Sequence, residues 1–239
     1  MASTTQSAHD TDFVPTQWTL ILAAGCGEDS RARAALEHLA NTYWYPLYAY
    51  IRRRGHSAAD AEDLTQAFFS LFIEQGFLEN VDPAKGRFRA FLLACVNHFL
   101  SNQRDRARAQ KRGGGNRLLS LESAEARYAC ETQAASPERL FERRWALALL
   151  ERVLTRLEAD YAAAGQPALF AALKETLTSA TAPTYAAIAQ TLGMKEGAVK
   201  TAAHRLRRRY RDLLQEEIAQ TVASPQEIDE EIAYLMKCL

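Results

Sequence analysis

The stretch TYAAIAQTLGMKEGAVKTAAHRLRRRYR, residues 184–211, predicts two short helices joined by a tight turn. Thr184 can cap the first helix, because its hydroxyl accepts an otherwise unpaired backbone N–H. Gly193 follows the last apolar residue of that helix, where a left-handed turn favours a residue without a Cβ. Small Ala189 and apolar Val199 stand where two crossing helices would pack. We interpret the stretch as a helix-turn-helix.

The second helix of this stretch, expected to start near Lys195, carries one-sided charge. Seven basic residues face two acidic ones between residues 195 and 212. This density of positive charge suits the phosphate backbone of a nucleic acid. A basic surface helix of an ordinary helical protein is the alternative, because Ala-x-x-x-Gly spacings also occur by chance. The coincidence of packing pattern and charge favours DNA binding. The basic residues are Lys195, Lys200, Arg205, Arg207, Arg208, Arg209 and Arg211.

The composition limits the class of protein. The chain has 239 residues, 48% of them hydrophobic, which supports one large or two small domains with a real core. Four scattered cysteines without a Cys-x-x-Cys pair argue against a zinc site or a disulfide scaffold and fit a reducing cytoplasm. The sequence has no apolar run of membrane-spanning length and no signal-peptide pattern. We therefore expect a cytoplasmic protein without metal, cofactor or membrane association.

Charge is balanced over the chain but segregated along it. The 29 basic and 29 acidic residues cancel, so the whole chain is not expected to bind nucleic acid indiscriminately. Residues 104–117 form a basic block, and residues 216–239 form an acidic tail. The distribution of charge therefore says more about function than the sum does.

Apolar residues recur at helical spacing through most of the chain, and no segment alternates as a strand would. The sequence thus predicts an all-α protein of two small helical domains joined by a flexible linker, in which Gly113, Gly114 and Gly115 mark the break. The predicted parts are a disordered arm at 1–15, a helical domain at 16–112, a linker at 113–135, a domain with the helix-turn-helix at 136–215, and an acidic helical extension at 216–239. The main predicted helices cover about 30–54, 58–76, 87–111 and 137–163, with others opening at Pro167 and Pro225.

Carboxylates cluster at the start of the predicted helix at 58–76. Asp60, Glu62 and Asp63 lie near its N-terminus, where the helix dipole favours negative charge. A catalytic carboxylate pair is the less favoured interpretation, because no His or Cys accompanies them at ligand spacing. We expect the protein not to be an enzyme.

Three motifs together resemble a bacterial RNA polymerase sigma factor of the extracytoplasmic-function (ECF) type. AEDLTQAFFSLF at 61–72 is similar to the acidic helix of the family's region two. FRAFLLACVNHFLSNQRDRARAQKR at 88–112 resembles the aromatic-rich helix that follows it. The stretch at 184–211 resembles the helix-turn-helix of region four. The resemblance covers most of residues 30–215 and implies a subunit that directs promoter-specific transcription initiation.

The resemblance also implies partners and contact residues. In this family region two binds the clamp of core RNA polymerase and opens the promoter, which would place Asp60, Asp63 and Gln66 against the clamp. The loop at 79–88 and Asn97 would contact a flipped base of the minus-ten element. Region four docks on the polymerase flap and reads the minus-thirty-five element in the major groove. The further DNA-binding residues implied are Arg104, Arg106, Lys195, Lys200, His204, Arg205 and Arg208. Family members are often held by anti-sigma factors, but no sequence feature identifies one here.

The chain departs from the family pattern in three places. Residues 155–183 are longer than usual and lack the Leu-Pro start of region four. Ala202 and Ala203 replace a larger polar or basic residue of the recognition helix, so base readout is expected to be thin. The acidic extension is an addition, and it is either a plain capping helix or a brake on DNA binding.

Two other classes of function compete with the resemblance. An ordinary helix-turn-helix regulator would act without core polymerase and would usually bind a palindrome as a dimer. A nucleic-acid-processing enzyme would need a metal cluster, a nucleophile with its base or a phosphate-binding loop, and the sequence has none of these patterns.

Overall fold

Every regular element in the described part of the chain is a helix. A computed structural model describes residues 30–74, 87–107, 121–129, 136–179, 181–222 and 224–239, without the side chains of 30–36, 38, 73–74, 104–107 and 121–123. The helices are α1 Ser30–Arg53, α2 Ala58–Glu74, α3 Phe88–Ala107, α4 Leu121–Ala129, α5 Pro137–Ala163, α6 Pro167–Leu173, α7 Glu175–Thr178, α8 Tyr185–Leu192, α9 Glu196–Ala219 and α10 Ile228–Cys238, the last preceded by a short 3-10 turn. The all-α prediction is confirmed.

Helix boundaries follow local capping chemistry. At the start of α2, the Ser57 hydroxyl accepts the backbone N–H of Asp60 at 3.1 Å and donates to its carboxylate at 2.7 Å. At the start of α5, the Ser136 hydroxyl accepts the backbone N–H of Arg139 at 3.3 Å. Gly165, with φ of 71°, lies in the turn that follows α5. These short-range signals explain why the predicted bounds of α5 match the structure.

The centre of the core is the contact between α1 and α5, the most extensive helix pair. Tyr43 of α1 stacks against Phe141 of α5 with 6.4 Å between ring centroids. Trp44 stacks on Tyr48 at 5.3 Å, and Trp145 is fully buried. Aromatic side chains bury large apolar areas, so this contact contributes strongly to stability.

Helix α5 packs against several other helices. It contacts α1, α6, α9 and α10, and five of its buried residues recur every four positions along one broad face: Phe141, Trp145, Leu149, Val153 and Leu157. Ion pairs add to the contact with α9: Arg152 with Glu217 at 3.1 Å, Arg156 with Glu217 and with Glu216 at 2.7 Å each, and Arg209 with Asp160 at 2.7 Å. The buried apolar residues therefore form one continuous cluster from Leu39 to Leu235.

This packing differs from the predicted domain layout in two ways. The segment predicted as a linker at 113–135 contains α4, which contacts α1 and α2. The Arg52 guanidinium of α1 pairs with Glu125 of α4 at 2.7 Å. The first helix of the predicted second domain also packs directly on α1. A short helix with few apolar residues gains most of its stability from neighbours distant in sequence. Its local composition therefore resembles that of a linker.

The structure changes one further expectation, and other expectations concern residues that it does not describe. The helix opening at Pro167 is interrupted at Lys174 and continues as α7. The arm at 1–15 and the glycine run at 113–115 lie outside the described residues, as do residues 79–86 of the predicted loop. None of the described helices combines the length and apolar character needed to cross a membrane.

Candidate polymerase and nucleic-acid interfaces

Helices α8 and α9 are joined by the tight turn that the sequence predicts. The Thr184 hydroxyl accepts the backbone N–H of Ala187 at 3.3 Å, which caps α8. Gly193 adopts a left-handed conformation with φ of 63°, and the Met194 N–H donates to the Ala189 carbonyl at 2.9 Å. Helix α9 then begins at Glu196, as expected.

Packing between α8 and α9 fixes which side of α9 faces outward. Ile188 and Ala189 of α8 are buried, as are Val199, Ala203 and Leu206 of α9. Residues spaced by three or four positions share one face of a helix, so these three form the inner face of α9. Ala203 therefore belongs to the packing face, and its small size does not by itself reduce base readout.

The outer face of α9 is basic and exposed. His204, Arg205 and Arg208 are exposed and recur at helical spacing on the side opposite Val199 and Leu206. A face of this kind offers donors to both phosphates and base edges in a DNA groove. We call His204, Arg205 and Arg208 the outer basic face.

Two predicted DNA-binding lysines lie at the start of α9. Lys195 is exposed and occupies the N-cap position. The Lys200 ammonium pairs with the Glu196 carboxylate at 2.7 Å, and this hydrogen bond raises the pKa of Lys200. Since both side chains are exposed, the pair is weak, and Lys200 remains accessible to an anionic partner.

Two arginines of α9 make contacts within the protein instead. The Arg207 guanidinium donates to the Tyr185 hydroxyl at 2.9 Å, which links α9 to α8. Arg209 pairs with Asp160 of α5 at 2.7 Å and lies 3.5 Å from Glu216. The basic run in the sequence thus divides into outward residues and residues that hold α9 in place. Sequence reasoning missed this division because Asp160 lies 49 positions away.

Of the three predicted polymerase-binding residues of α2, two are exposed and one is buried. Asp60 and Asp63 are exposed, and their three-residue spacing places them on one face. Gln66 is only 7% exposed, so its side chain packs inside the protein rather than facing a partner. This corrects the expectation that the three residues share a surface. Gln66 lies on the inner side, next to the buried Thr65.

Asn97 of α3 lies in a small polar cluster on the surface. Its side-chain oxygen accepts hydrogen bonds from the Tyr50 hydroxyl at 2.7 Å and the Arg54 guanidinium at 2.5 Å. The Tyr50 hydroxyl also lies 3.5 Å from Glu138 of α5. Because both donors use the oxygen, the Asn97 amide nitrogen is left to donate to an incoming group.

Arg54 was missed by sequence reasoning, since it lies 43 positions from Asn97. Its position in the turn directly after α1 was the available signal, because a cation there complements the helix dipole. Arg104 and Arg106 lie in the last turns of α3, but their side chains are outside the described residues.

Comparison with known families identifies the part of the chain around α1 to α3. Residues 39–112 match the family model of Sigma-70 region 2. This match supports a sigma factor of the sigma-70 family. A region 2 domain implies interaction with core RNA polymerase and promoter DNA, and members of the family are in general not enzymes. We call residues 39–112 the region-2 segment.

The region-2 segment contains α2, α3 and most of α1, with the motifs at 61–72 and 88–112. No curated protein and no solved structure matches the chain. Within the described part of the chain, His, Cys, Asp and Glu form no group of three or more that could hold a metal ion.

Proposed function

We propose that the protein is a sigma factor of the ECF type that binds core RNA polymerase and reads promoter DNA at two places. The match of residues 39–112 to Sigma-70 region 2 carries this proposal. The outer basic face of α9 supports a second DNA contact, which acts as the helix-turn-helix of region four. The protein would act in the cytoplasm without a cofactor.

The region-2 segment would supply the polymerase contact and the minus-ten contact. Asp60 and Asp63 are exposed on α2 and would meet the clamp, while the buried Gln66 would support that helix from within. Asn97 would donate its amide N–H to an acceptor on an unstacked base. Arg104 and Arg106 would follow along the DNA backbone, as the resemblance implies.

Helices α8 and α9 would read the minus-thirty-five element. Arginine in the major groove donates to guanine acceptors, and neighbouring basic side chains position the helix on phosphates. His204, Arg205 and Arg208 are the residues exposed for base contact, with Lys195 and Lys200 placed for the backbone. Core polymerase would hold both contacts on one promoter, so neither needs high affinity alone.

The direct test is run-off transcription with purified core polymerase on a library of upstream sequences. We expect initiation that depends on the protein and enriches one pair of promoter elements. Absence of initiation together with absence of core binding in a pull-down would reject the proposal. Tight binding to a palindrome by a stable homodimer without polymerase would instead favour an ordinary regulator.

A single substitution tests the polymerase contact. Asp63→Arg reverses an exposed charge on α2 and should weaken core binding, while DNA binding by α9 stays unchanged. Binding to immobilised core polymerase and to duplex DNA measures the two properties separately. Loss of both would indicate misfolding rather than a lost contact, and Ala67→Ser on the same helix serves as the control.

A further inference from the structure

The acidic C-terminal helix contains a charged residue with no exposure to solvent. Helix α10 packs against α5 and α9, and Leu235 is buried in that contact as expected of a capping helix. Glu231 on the same helix is also fully buried, at 0% exposure. A capping helix needs only apolar side chains at such positions, so the buried carboxylate calls for a further explanation.

The partners of Glu231 lie in the region-2 segment. The Arg87 guanidinium pairs with one carboxylate oxygen at 2.8 Å, and the Arg89 guanidinium pairs with the other. Arg87 directly precedes α3, and Arg89 lies in its first turn. The contact thus joins the C-terminal end of the chain to the start of the helix that carries Asn97.

Two aromatic rings enclose this ion pair. The Arg89 guanidinium lies 4.2 Å from the ring centroid of Tyr234 on α10 and 4.8 Å from that of Trp145 on α5. Arg87 lies 5.6 Å from the Tyr234 ring. Arginine over aromatic faces gains cation–π attraction, which is stronger when water is excluded. The cluster of Arg87, Arg89, Trp145, Glu231 and Tyr234, which we call the clasp, therefore joins α3, α5 and α10.

The energetics of a buried ion pair favour a contact that can be released. Removing two charges from water costs nearly as much as their attraction returns, so a complete pair adds little net stability. Removing one partner is strongly unfavourable, because the other charge stays buried alone. When α10 departs, however, Glu231 and the two arginines regain water together. Such a contact is specific for one position of α10 but adds little to the stability of that position.

The position of the clasp gives it a consequence for DNA binding. Arg87 lies within the loop at 79–88 that the resemblance places against minus-ten DNA. We propose that α10 is a built-in clasp, in which Glu231 holds Arg87 and Arg89 and keeps the start of α3 closed until core polymerase and promoter DNA bind. This inference rests on the proposed function. The occupant of this surface in the unbound protein is the chain's own acidic helix.

The test compares Glu231→Gln with Asp229→Asn. Both substitutions remove one negative charge from α10, but Asp229 is exposed and outside the clasp. We expect Glu231→Gln to strengthen binding to core polymerase about tenfold, since affinity rises with the fraction of molecules that are open. Asp229→Asn should bind as the unmodified protein does. Equal affinity of both variants and the unmodified protein for core would overturn the clasp while leaving the proposed function intact.

A measurement without substitution covers the case in which Glu231→Gln does not fold. Hydrogen exchange of the unmodified protein should show faster exchange at residues 228–238 once core polymerase and promoter DNA are bound. Unchanged protection of α10 in that complex would overturn the clasp. If the unmodified protein and the folded Glu231→Gln variant both fail to bind core, the proposed function fails, and the clasp as a brake on it fails too.

Discussion

The two regions proposed to contact DNA differ in how far their basic residues are already occupied. On α9, Arg205 and Arg208 point outward from a helix held in place by other side chains. In the region-2 segment, Arg54 is bonded to Asn97, and Arg87 and Arg89 are bonded to Glu231. In the proposed function the arginines of the outer basic face can bind DNA directly, whereas those of the region-2 segment would first have to exchange internal partners for external ones.

This difference fits the role that the proposed function gives to each region. A helix that enters a groove of intact duplex DNA needs only exposed donors on a rigid support. A surface that receives an unstacked base has to form a shaped pocket, and a basic surface of this kind attracts phosphate wherever it is exposed. Internal acidic partners would limit that nonspecific attraction.

The largest expected effect is a loss of stability on replacing Trp145, which contacts Arg89 in the clasp. Trp145→Ala removes a fully buried ring and one wall of the clasp, and large-to-small changes of this kind cost about 3–5 kcal/mol. Chemical denaturation followed by circular dichroism measures the loss. Met236→Ala, at an exposed position of α10, is the control and should leave the unfolding midpoint nearly unchanged. If Trp145→Ala left the free energy of unfolding unchanged, α5 would not be what holds the two regions together.

The second test addresses the exposed region. Arg205→Ala should weaken binding to the cognate duplex by about 1–3 kcal/mol if it contacts a base, without changing the thermal midpoint. Arg209→Ala is the matched comparison on the same helix, and it should lower stability slightly, by roughly 0.2–1 kcal/mol, because the pair with Asp160 that it removes is partly exposed. Fluorescence anisotropy with duplex DNA and thermal unfolding give the two measurements. Reversed results would show that the outward and inward arginines have been assigned incorrectly.

A third test concerns the turn that aims α9. Gly193 has φ of 63°, and no atom lies within 4 Å of an added Cβ, so the cost of Gly193→Ala is backbone strain alone. A left-handed conformation costs an ordinary residue roughly 1–2 kcal/mol, which thermal unfolding should detect. Gly193→Asn should cost less, because asparagine tolerates this conformation better. Equal stability of all three proteins would argue that the turn readjusts.

The smallest expected effect is the pH dependence of the stability that Glu125 of α4 contributes through its pair with Arg52. The Arg52 hydrogen bond lowers the pKa of Glu125 below its usual 4.5, so the folded state binds a proton less readily than the unfolded state. The stabilisation is complete above the unfolded pKa and is lost as pH falls through the folded pKa. The stability difference between the protein and Glu125→Gln should therefore shrink below about pH 4.5. Glu158→Gln, at an exposed position of α5, is the charge-matched control for the substitution itself.

Much of the local structure could be predicted from the residues alone. The caps at Ser136 and Thr184, the turn at Gly193 and the helical spacing of the apolar residues use interactions over a few positions, and the structure has them. The motifs of the region-2 segment are also local, which is why the resemblance and the family match agree on residues 61–72 and 88–112. The domain layout was less accessible, because no local signal shows that α5 packs on both α1 and α9.

The sequence by itself determined an all-α chain with a region-2 segment and a basic helix after a tight turn. Helical periodicity, capping and turn chemistry depend on neighbours within about four positions. Only the tertiary structure decided that Gln66 faces inward, that Arg209 is engaged while Arg205 is exposed, and that Glu231 closes on Arg87. Each of these depends on a partner or a packing surface brought close by folding. Charge type alone does not distinguish a cation that binds the protein from one that binds DNA.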